Sequence, residues 1–495
     1  MENYLFSRIA KRGISLVSCL SLSIVFGQYQ QSAKLTANVR ESRAEFGTAV
    51  AINDQFLAIG ASRETIAKGA VYIHKKNGNS WNFNQKITAP DGVEMAEFGG
   101  SLKFGNNFLV AAAGRADIGD IIRAGALYIY EPNSNNQWTF AQKLISSNPY
   151  NDGLLGVNPT SIAVDDNLIV AGAPGVDSWK GSVYIFEKVG NNWQETQKID
   201  APEGIEFGNF GIGVGISGNY LVIGASGVNS NAGKIYIYKK NDLGQWLLNQ
   251  SIISSEDSPS FYFGNSVSMD GNELVVGAYA ESDSGNTSSA YIYRLNDNGN
   301  WEEAQKIPSY ESSEHTYFAW TCEMKNNQLL ISSPHLYGQE PGRALLYKKN
   351  SQNNWEFDQE LKPQNDISED FYGWSIAMNE NEIIVGSARD NWDNNEENEL
   401  NDAGSAYIFT SPDLATNENN FSENDVKIYP NPAKDFVNIF SKKVINSIDV
   451  FDQSGKIILI SKESKINVAE LPKGVYVLKI NLSDGTSKLQ KLIKQ

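Results

Sequence analysis

The 495-residue sequence is poor in cysteine and histidine. Its two cysteines are Cys19 and Cys322. Because Cys19 lies in an N-terminal stretch that we expect to be removed, Cys322 has no partner and a disulfide-stapled scaffold is excluded. A small buried thiol is the simplest interpretation of Cys322.

Signatures of catalysis and of binding to anionic polymers are also missing. The three histidines fall in different repeats, and the chain has no H-E-x-x-H, G-x-S-x-G or P-loop motif. A catalytic histidine needs an orienting partner, and none can be named here. We therefore predict no catalytic residue, although a repeat fold can assemble a site from several repeats. The net charge of −17 opposes nucleic acid and anionic membranes, but its simplest meaning is solubility of an exported protein.

One apolar stretch, residues 13–26, follows Arg8, Lys11 and Arg12. It is too short for a stable membrane span and fits a signal peptide over residues 1–27, cleaved after Gly27. A second interpretation is a lipoprotein cleavage box at Leu16–Cys19. We expect no transmembrane segment after cleavage.

The chain contains seven copies of one sequence repeat, of which the clearest is Phe210–Ile252. Each copy reads as four short strands with period-two alternation and Gly, Asn or Asp turns, which is typical of an antiparallel sheet. An FG-like pair opens each copy, and a Trp opens the fourth strand at Trp81, Trp138, Trp193, Trp246, Trp301 and Trp355. Seven such units predict an all-β fold, a seven-bladed β-propeller.

The fourth strand of the last copy is missing from its expected place, because residues 411–424 read as a polar linker. Residues 28–37 at the N-terminus match the fourth strands instead. We predict that they pair with residues 404–409 and close the ring, since an open ring would expose sheet edges. The predicted organisation is a propeller over 28–410, a linker over 411–424 and a C-terminal domain over 425–495.

Because each blade has four antiparallel strands, alternate loops emerge on opposite faces of the propeller. We therefore predict that the long, irregular loops share one face. The loops from strand two to three and from strand four to the next blade emerge together, and several are long. Long loops concentrated on one face of a rigid scaffold usually carry function. Four tryptophans in or near these loops are candidate ligand-binding residues, with core packing as the alternative for the second and third: Trp179, Trp320, Trp374 and Trp392.

One of these loops is strongly acidic. Its carboxylates could bind calcium, because Ca²⁺ takes hard oxygen ligands; the candidates are Asp390, Asp393 and Asp402, together with Glu396, Glu397 and Glu399. The spacing is not that of a known calcium loop and the turn glycine is missing. A solvated acidic loop is the simpler interpretation, and we expect no cofactor.

The repeat resembles the FG-GAP family, through the FG pairs, the LVVGA-like second strand and the G-A-x-Y-I-Y third strand. Members of that family are extracellular, and in the integrin head such repeats build a seven-bladed adhesion propeller. The integrin-type D-x-D-x-D-G calcium loop is absent here, so the resemblance does not imply calcium binding.

The tail resembles the C-terminal sorting domain (type A) of type IX secretion. The matching residues are Tyr429, Pro430, Asn431, Pro432, Gly474 and Tyr476. Its six or seven short strands predict a small Ig-like β-sandwich, with an ordinary accessory domain as the alternative interpretation. The resemblance implies export across a Bacteroidota outer membrane by the type IX machinery, followed by cleavage of the tail and release or surface anchoring.

We therefore expect a secreted or cell-surface binding or adhesion module, outside the outer membrane, with a glycan or protein ligand on the long-loop face. The alternatives are an extracellular polysaccharide lyase or hydrolase with its site at the propeller mouth, and a purely structural surface protein. Converging carboxylates with a His or Tyr would favour an enzyme, whereas aromatic and amide groups alone would favour binding.

Overall fold

The computed structural model describes residues 28–280, 287–309, 317–335, 341–364, 370–411, 426–429, 433–441, 444–452, 455–483 and 487–494. These residues belong to two compact units, one within Tyr29–Asp413 and the other within Ser422–Gln495. The predicted signal peptide, most of the predicted linker and Pro430, Asn431, Pro432 and His315 lie outside the described residues.

The first unit consists of seven four-stranded antiparallel sheets, each used as one blade. Strand β1 (Gln30–Leu35) comes before blade 1, which is β2 (Phe46–Ile52), β3 (Phe56–Ala61), β4 (Ala70–Asn77) and β5 (Ser80–Ile87). Blade 2 is β6 (Phe98–Phe104), β7 (Leu109–Ala113), β8 (Ala126–Pro132) and β9 (Trp138–Leu144). Blade 3 is β10 (Ile162–Asp165), β11 (Leu168–Ala173), β12 (Ser182–Val189) and β13 (Asn192–Asp200).

The second half of the ring repeats the same order. Blade 4 is β14 (Phe210–Ser217), β15 (Tyr220–Ala225), β16 (Lys234–Lys240) and β17 (Trp246–Ile252). Blade 5 is β18 (Ser266–Asp270), β19 (Glu273–Ala278), β20 (Ser289–Leu295) and β21 (Trp301–Pro308). Blade 6 is β22 (Cys322–Lys325), β23 (Gln328–Ser333), β24 (Arg343–Lys349) and β25 (Trp355–Leu361), and blade 7 is β26 (Tyr372–Met378), β27 (Glu382–Ser387), β28 (Ser405–Thr410) and β1.

Three single helical turns lie between the second and third strands of blades 1, 3 and 4. They are α1 (Glu64–Ala67), α2 (Val176–Trp179) and α3 (Val228–Asn231). Each contains non-glycine residues with positive φ, such as Ile66 at 58°. A branched side chain in this region is strained, so the surrounding contacts must hold these turns in place.

The ring is closed in two ways. The first strands of the seven blades contact one another in an unbroken circle, from β2 through β26 and back to β2. The N-terminal strand β1 pairs with β28 in a register that runs from Gln30 opposite Thr410 to Leu35 opposite Ala406. This pairing agrees with the expectation from the sequence, and it gives the last blade the fourth strand that the other six blades take from their own segment.

Small residues permit the close approach of neighbouring blades. A Cβ atom on Gly172, in the second strand of blade 3, would lie 1.8 Å from the carbonyl oxygen of Gly211, which belongs to the FG pair of blade 4. Gly224 has the same relation to Gly264 of the next blade. The Phe of each of these FG pairs is fully buried. The Gly-Ala ending of the second strand is therefore a packing requirement.

A glutamine in the fourth strand joins six of the seven pairs of neighbouring blades. In blade 4, Gln250 Nε2 donates to the carbonyl oxygen of Trp301 in blade 5 at 2.9 Å, and the Trp301 backbone N–H donates to Gln250 Oε1 at 2.8 Å. We call this paired contact the Gln clasp. The other five clasps use Gln85, Gln142, Gln197, Gln305 and Gln359. A β-bulge precedes the glutamine in each of these strands, which aims its side chain at the next blade.

The seam between blades 7 and 1 is different, because Ala33 of β1 occupies the position of the clasp glutamine. Here the Trp81 indole N–H donates to Glu382 Oε1 at 2.9 Å, and Lys76 Nζ lies 2.7 Å from Glu382 Oε2. Tyr29 occupies the place that Trp has in the other fourth strands, and its backbone is held by Gln359. The seventh fourth-strand aromatic is therefore a tyrosine.

The second unit consists of seven described strands in two sheets. They are β29 (Val426–Tyr429), β30 (Phe436–Ser441), β31 (Ile445–Phe451), β32 (Ile457–Ser461), β33 (Lys465–Asn467), β34 (Gly474–Leu482) and β35 (Ser487–Lys494). The sheet orders are β29-β30-β33 and β32-β31-β34-β35. One apolar core, including Val437, Ile448 and Leu478, joins them, as in a small β-sandwich.

No helix within the described part of either unit is long and apolar enough to span a membrane.

Candidate aromatic binding site

The long-loop face is the end of the propeller at which the innermost strands begin. Each FG-like pair lies there, because it stands at or just before the first strand of its blade. The loops between second and third strands emerge at the same end, since the four strands of a blade are antiparallel. Residues beside the FG pairs therefore lie at the inner edge of this face.

Six aromatic rings form a connected series at that edge in blades 5 to 7, which we call the aromatic arc. Tyr262 stacks on Tyr279 with ring centroids 4.7 Å apart, and Tyr279 lies 5.3 Å from Trp320. Trp320 lies 5.2 Å from Trp374. Tyr317 contacts Tyr279 and Trp320, and Phe371 stacks on Trp374 at 5.7 Å.

All six rings of the aromatic arc are only partly buried, unlike the Phe residues of the FG pairs. They span three blades without interruption. A continuous, partly exposed aromatic surface at the edge of a scaffold is typical of a binding site, because rings supply contact area at low entropic cost.

Five of the six rings in the aromatic arc come from two repeat positions, one immediately before and one immediately after the FG-like pair, whereas Tyr279 follows β19. In blades 5 to 7 the position before the pair is Tyr262, Tyr317 and Phe371, whereas in blades 1 to 4 it is Glu45, Glu97, Leu154 and Asn209. The position after the pair is Trp320 and Trp374 in blades 6 and 7, whereas it is Thr48, Gly100, Val157, Ile212 and Asn265 in blades 1 to 5. The ring is thus symmetric in its backbone and asymmetric at this edge.

Blades 1 and 2 carry charges where blades 5 to 7 carry rings, in a series that we call the ionic arc. Arg63 lies 3.3 Å from Glu45 and 3.9 Å from Glu97, and Arg115 lies 3.0 Å from Glu97. Burial raises the pKa of Glu45, and the charges of Arg63 and Arg389 oppose that rise. Most charged groups of the ionic arc are therefore paired with one another.

Arg389 lies where the two arcs meet. Its guanidinium carbon is 4.2 Å from the centroid of the Phe371 ring, a distance at which a cation and an aromatic ring attract each other. Its backbone N–H donates to the carbonyl oxygen of Asp370. No ion pair or hydrogen bond of its guanidinium is found among the described residues.

Of the four tryptophans predicted from the sequence, the structure brings two together. Trp320 and Trp374 are adjacent members of the aromatic arc. Trp179 ends α2 in blade 3 and is 37% exposed, and Trp392 follows β27 in the acidic loop. Neither Trp179 nor Trp392 takes part in a ring contact within the described residues.

The acidic loop is not simply solvated, which corrects the expectation from its composition. Asp390 is fully buried and lies 2.9 Å from Lys34 of the closing strand, which also pairs with Glu396 at 2.6 Å. The hydroxyl of Tyr407 and the backbone N–H of Trp392 donate to Asp390 at 2.9 and 2.8 Å. Asp390 thus anchors the closing strand through a buried ion pair.

The other two calcium candidates also have partners within the chain. The side-chain amide of Asn398 and backbone N–H groups lower the pKa of Asp393 to about 2. Asp402 accepts a hydrogen bond from Asn401 Nδ2 at 3.2 Å. Within the described ranges, no three His, Cys, Asp or Glu side chains are arranged to hold a metal.

Asp370, two residues before the FG-like pair of blade 7, is buried beside this ion pair. Its burial, reinforced by the charge of Asp390, raises its pKa to about 8. The carboxyl group is therefore mostly protonated at neutral pH. Because Asp370 and Asp390 are both buried, they do not form an accessible acid–base pair.

The remaining titratable candidates are buried. His74 and His335 are each almost fully buried, and burial lowers the pKa of His74 to about 4. Cys322 lines a central cavity of about 170 Å³ between the innermost strands, and burial raises the pKa of its thiol to about 12. A thiol held in its neutral form is unreactive.

In the tail, the described residues of the sorting motif are structural. Tyr429 lies in β29, opposite Asn438 of β30. Gly474 and Tyr476 lie in β34, and the Tyr476 hydroxyl donates to the carbonyl oxygen of Pro472 at 2.7 Å.

Two family models match the chain. The FG-GAP repeat matches residues 29–74, 81–130, 193–238, 246–293 and 355–409, and the secretion system C-terminal sorting domain matches residues 427–495. The first model covers β1, so it includes the strand that closes the ring. No curated protein matches the sequence.

Solved structures with a similar fold show low sequence identity. A protein from Lactobacillus plantarum is 13% identical, with a TM-score of 0.44 over 65% of this chain and 85% of that chain. The periplasmic gluconolactonase PpgL of Pseudomonas aeruginosa is 9% identical, with a TM-score of 0.44 over 64% of this chain and 85% of that chain. Sqt1 of Chaetomium thermophilum is 14% identical, with a TM-score of 0.43 over 73% of this chain and 83% of that chain.

These structural similarities are too low for any inference about function. The matches to the repeat and to the sorting domain instead agree with the strand order and with the residues quoted above. The chain is an FG-GAP repeat protein with a secretion system C-terminal sorting domain.

Proposed function

We propose that this protein is an extracellular binding protein whose propeller holds a glycan on the aromatic arc. The observation that carries the proposal is the contact between Trp320 and Trp374, 5.2 Å apart and both partly exposed. The apolar faces of sugar rings stack on aromatic side chains, whereas sugar hydroxyls remain hydrated, so a row of rings suits an extended saccharide.

Binding is better supported than lyase or hydrolase chemistry. The carboxyl groups described next to the aromatic arc, Asp370 and Asp390, are buried, and Asp390 is held by Lys34. General acid–base catalysis needs such groups within reach of the substrate. A purely structural role would leave no reason for aromatic residues at two repeat positions in only three blades.

The test is binding of the purified propeller to a glycan array, followed by titration of the best glycan. Trp320→Ala and Trp374→Ala should each weaken binding by about 2 kcal/mol, roughly 30-fold in Kd. Trp179→Ala is the matched control, because this Trp is exposed on the same face but lies in blade 3. Unchanged affinity in a folded Trp320→Ala/Trp374→Ala variant would contradict the proposal.

The sorting domain indicates secretion and attachment to the cell surface. We further propose that the type IX machinery of a Bacteroidota cell exports the protein and that the tail is cleaved within residues 411–424. Deleting residues 425–495 should retain the propeller inside the cell, as measured by fractionation and immunoblotting. Export at the normal level without the tail would contradict this proposal.

A further inference from the structure

We infer that the glycan held by the aromatic arc is an acidic saccharide whose carboxylate or sulfate group binds Arg389. This inference rests on the proposed function and adds the chemical class of the ligand. It starts from the one half-buried arginine of the described propeller whose guanidinium is left without an oxygen partner.

The other half-buried arginines show what such a residue normally does in this protein. Arg294 and Arg343 pair with carboxylates at 2.7 and 2.9 Å, and Arg115 lies 3.0 Å from Glu97. Arg40 donates to the carbonyl oxygen of Asn398 at 2.6 Å. Within the described residues Arg389 has no such partner, although a partly buried cation is stabilised by one.

The geometry around Arg389 favours an anion that presents two oxygens side by side. Phe371 supports one face of the guanidinium at 4.2 Å from the ring centroid. Such stacking fixes the plane of the guanidinium, whose paired N–H donors match the two oxygens of a carboxylate or sulfate. Phe371 also stacks on Trp374 at 5.7 Å, so an anionic group at Arg389 places the rest of a saccharide over the aromatic arc.

Local charge opposes an anion less than the net charge of the chain suggests. The ionic arc and Arg389 together contain three arginines and two glutamates, Glu45 and Glu97. With Lys34 and the nearby carboxylates Asp390, Glu396 and Asp402 included, cations and carboxylates nearly balance. The raised pKa of Asp370 leaves that carboxyl mostly neutral at pH 7. The chain as a whole carries −17, so recognition of an anion must depend on short-range contacts with Arg389 rather than on long-range attraction.

The experiment compares saccharides that differ only in charge, by calorimetric titration of the purified propeller. The first pair of probes is an oligogalacturonate and its methyl ester, and the second is an oligosaccharide of κ-carrageenan and its desulfated form. The two pairs distinguish a carboxylate from a sulfate ligand. At least one acidic probe should bind ten-fold or more tightly than its uncharged form.

Variants assign the preference to Arg389. Arg389→Gln should abolish the preference for the acidic probe, whereas Trp374→Ala should weaken binding of both the acidic and the uncharged probe and keep the preference. Arg63→Gln is the matched control, because Arg63 lies in the ionic arc but already pairs with Glu45. Unfolding temperatures close to that of the unmodified protein confirm that each variant is folded.

Four outcomes overturn the inference. Equal affinity for charged and uncharged probes, or a preference that survives Arg389→Gln, contradicts it while the proposed glycan binding stands. Binding of neutral glycans alone has the same meaning. Failure of every glycan on the array to bind contradicts the proposed function as well.

Discussion

Replacing Gln250 by alanine removes one Gln clasp and should loosen the seam between blades 4 and 5. The clasp consists of two hydrogen bonds, at 2.9 and 2.8 Å, to the backbone of Trp301. Trp301 is 2% exposed, so water cannot easily replace both partners. The variant should therefore unfold at lower temperature than the unmodified protein.

The expected magnitude follows from the two bonds. Each contributes about 1 kcal/mol net, and a buried backbone group that loses its partner adds to the loss, so the variant should be less stable by about 2–3 kcal/mol. Unfolding entropy is about 2.1 cal/mol/K per residue, which gives about 0.8 kcal/mol/K for a propeller of about 380 residues. The unfolding temperature should therefore fall by about 3–4 °C.

The assay is thermal unfolding of the purified propeller, followed by circular dichroism and by tryptophan fluorescence. Gln245→Ala is the control, since Gln245 precedes the same strand but is exposed, and it should cost less than about 0.5 kcal/mol. If Gln250→Ala unfolded within 1 °C of Gln245→Ala, the clasp would not contribute to blade packing and the reasoning would be refuted.

Three further predictions concern the seam at which the ring closes. Ala33→Gln should create the missing clasp and raise stability by about 1 kcal/mol; lower stability in urea unfolding would contradict it. Lys34→Met leaves Asp390 buried and unpaired and should cost about 3–5 kcal/mol, much of it recovered in Lys34→Met/Asp390→Asn; equal stability of the single and double variants would argue against the ion pair. Because the folded state holds the proton of Asp370 up to about pH 8, whereas the unfolded chain loses it near pH 4, stability should fall as pH rises between these values. Asp370→Asn should reduce this pH-dependent loss of stability, measured as the urea concentration at the unfolding midpoint at each pH. An unchanged pH profile in the variant would refute the prediction.

Much of the fold could be predicted from the sequence, because a blade repeats the same local requirements seven times. The FG pair, the Gly-Ala ending and the fourth-strand Trp each mark a place where neighbouring blades meet. The closing role of residues 28–37 also followed from the pattern. The equivalence of Tyr29 and Trp was missed because the other six fourth strands begin with tryptophan, although Tyr29 stands five residues before Lys34 just as Trp81 stands five before Lys86.

The site was predicted only in part. Trp320 and Trp374 were predicted as candidate ligand-binding residues, but Tyr262, Tyr317 and Phe371 were not. Their signal was present, since all three occupy the position before the FG-like pair. Comparison of that single position across the seven copies finds them.

Other features depend on tertiary structure that local sequence does not encode. Asp390 was grouped with a solvated loop because its neighbours are acidic, whereas its partner Lys34 comes from the other end of the propeller sequence. Arg389 was missed for the same kind of reason, because its importance depends on Phe371 from another segment of the chain. Ring closure brings Lys34 to Asp390, whereas the pairing of β26 with β27 in blade 7 brings Phe371 to Arg389.

The most direct test of the account is fluorine NMR of the propeller labelled with 5-fluorotryptophan, titrated with the tightest-binding glycan from the array. Each resonance is assigned by a Trp→Phe variant. The account predicts that the resonances of Trp320 and Trp374 shift on binding, whereas those of Trp179 and of the fourth-strand Trp246 do not. Shifts confined to Trp179 or Trp246, with Trp320 and Trp374 unchanged, would contradict binding at the aromatic arc.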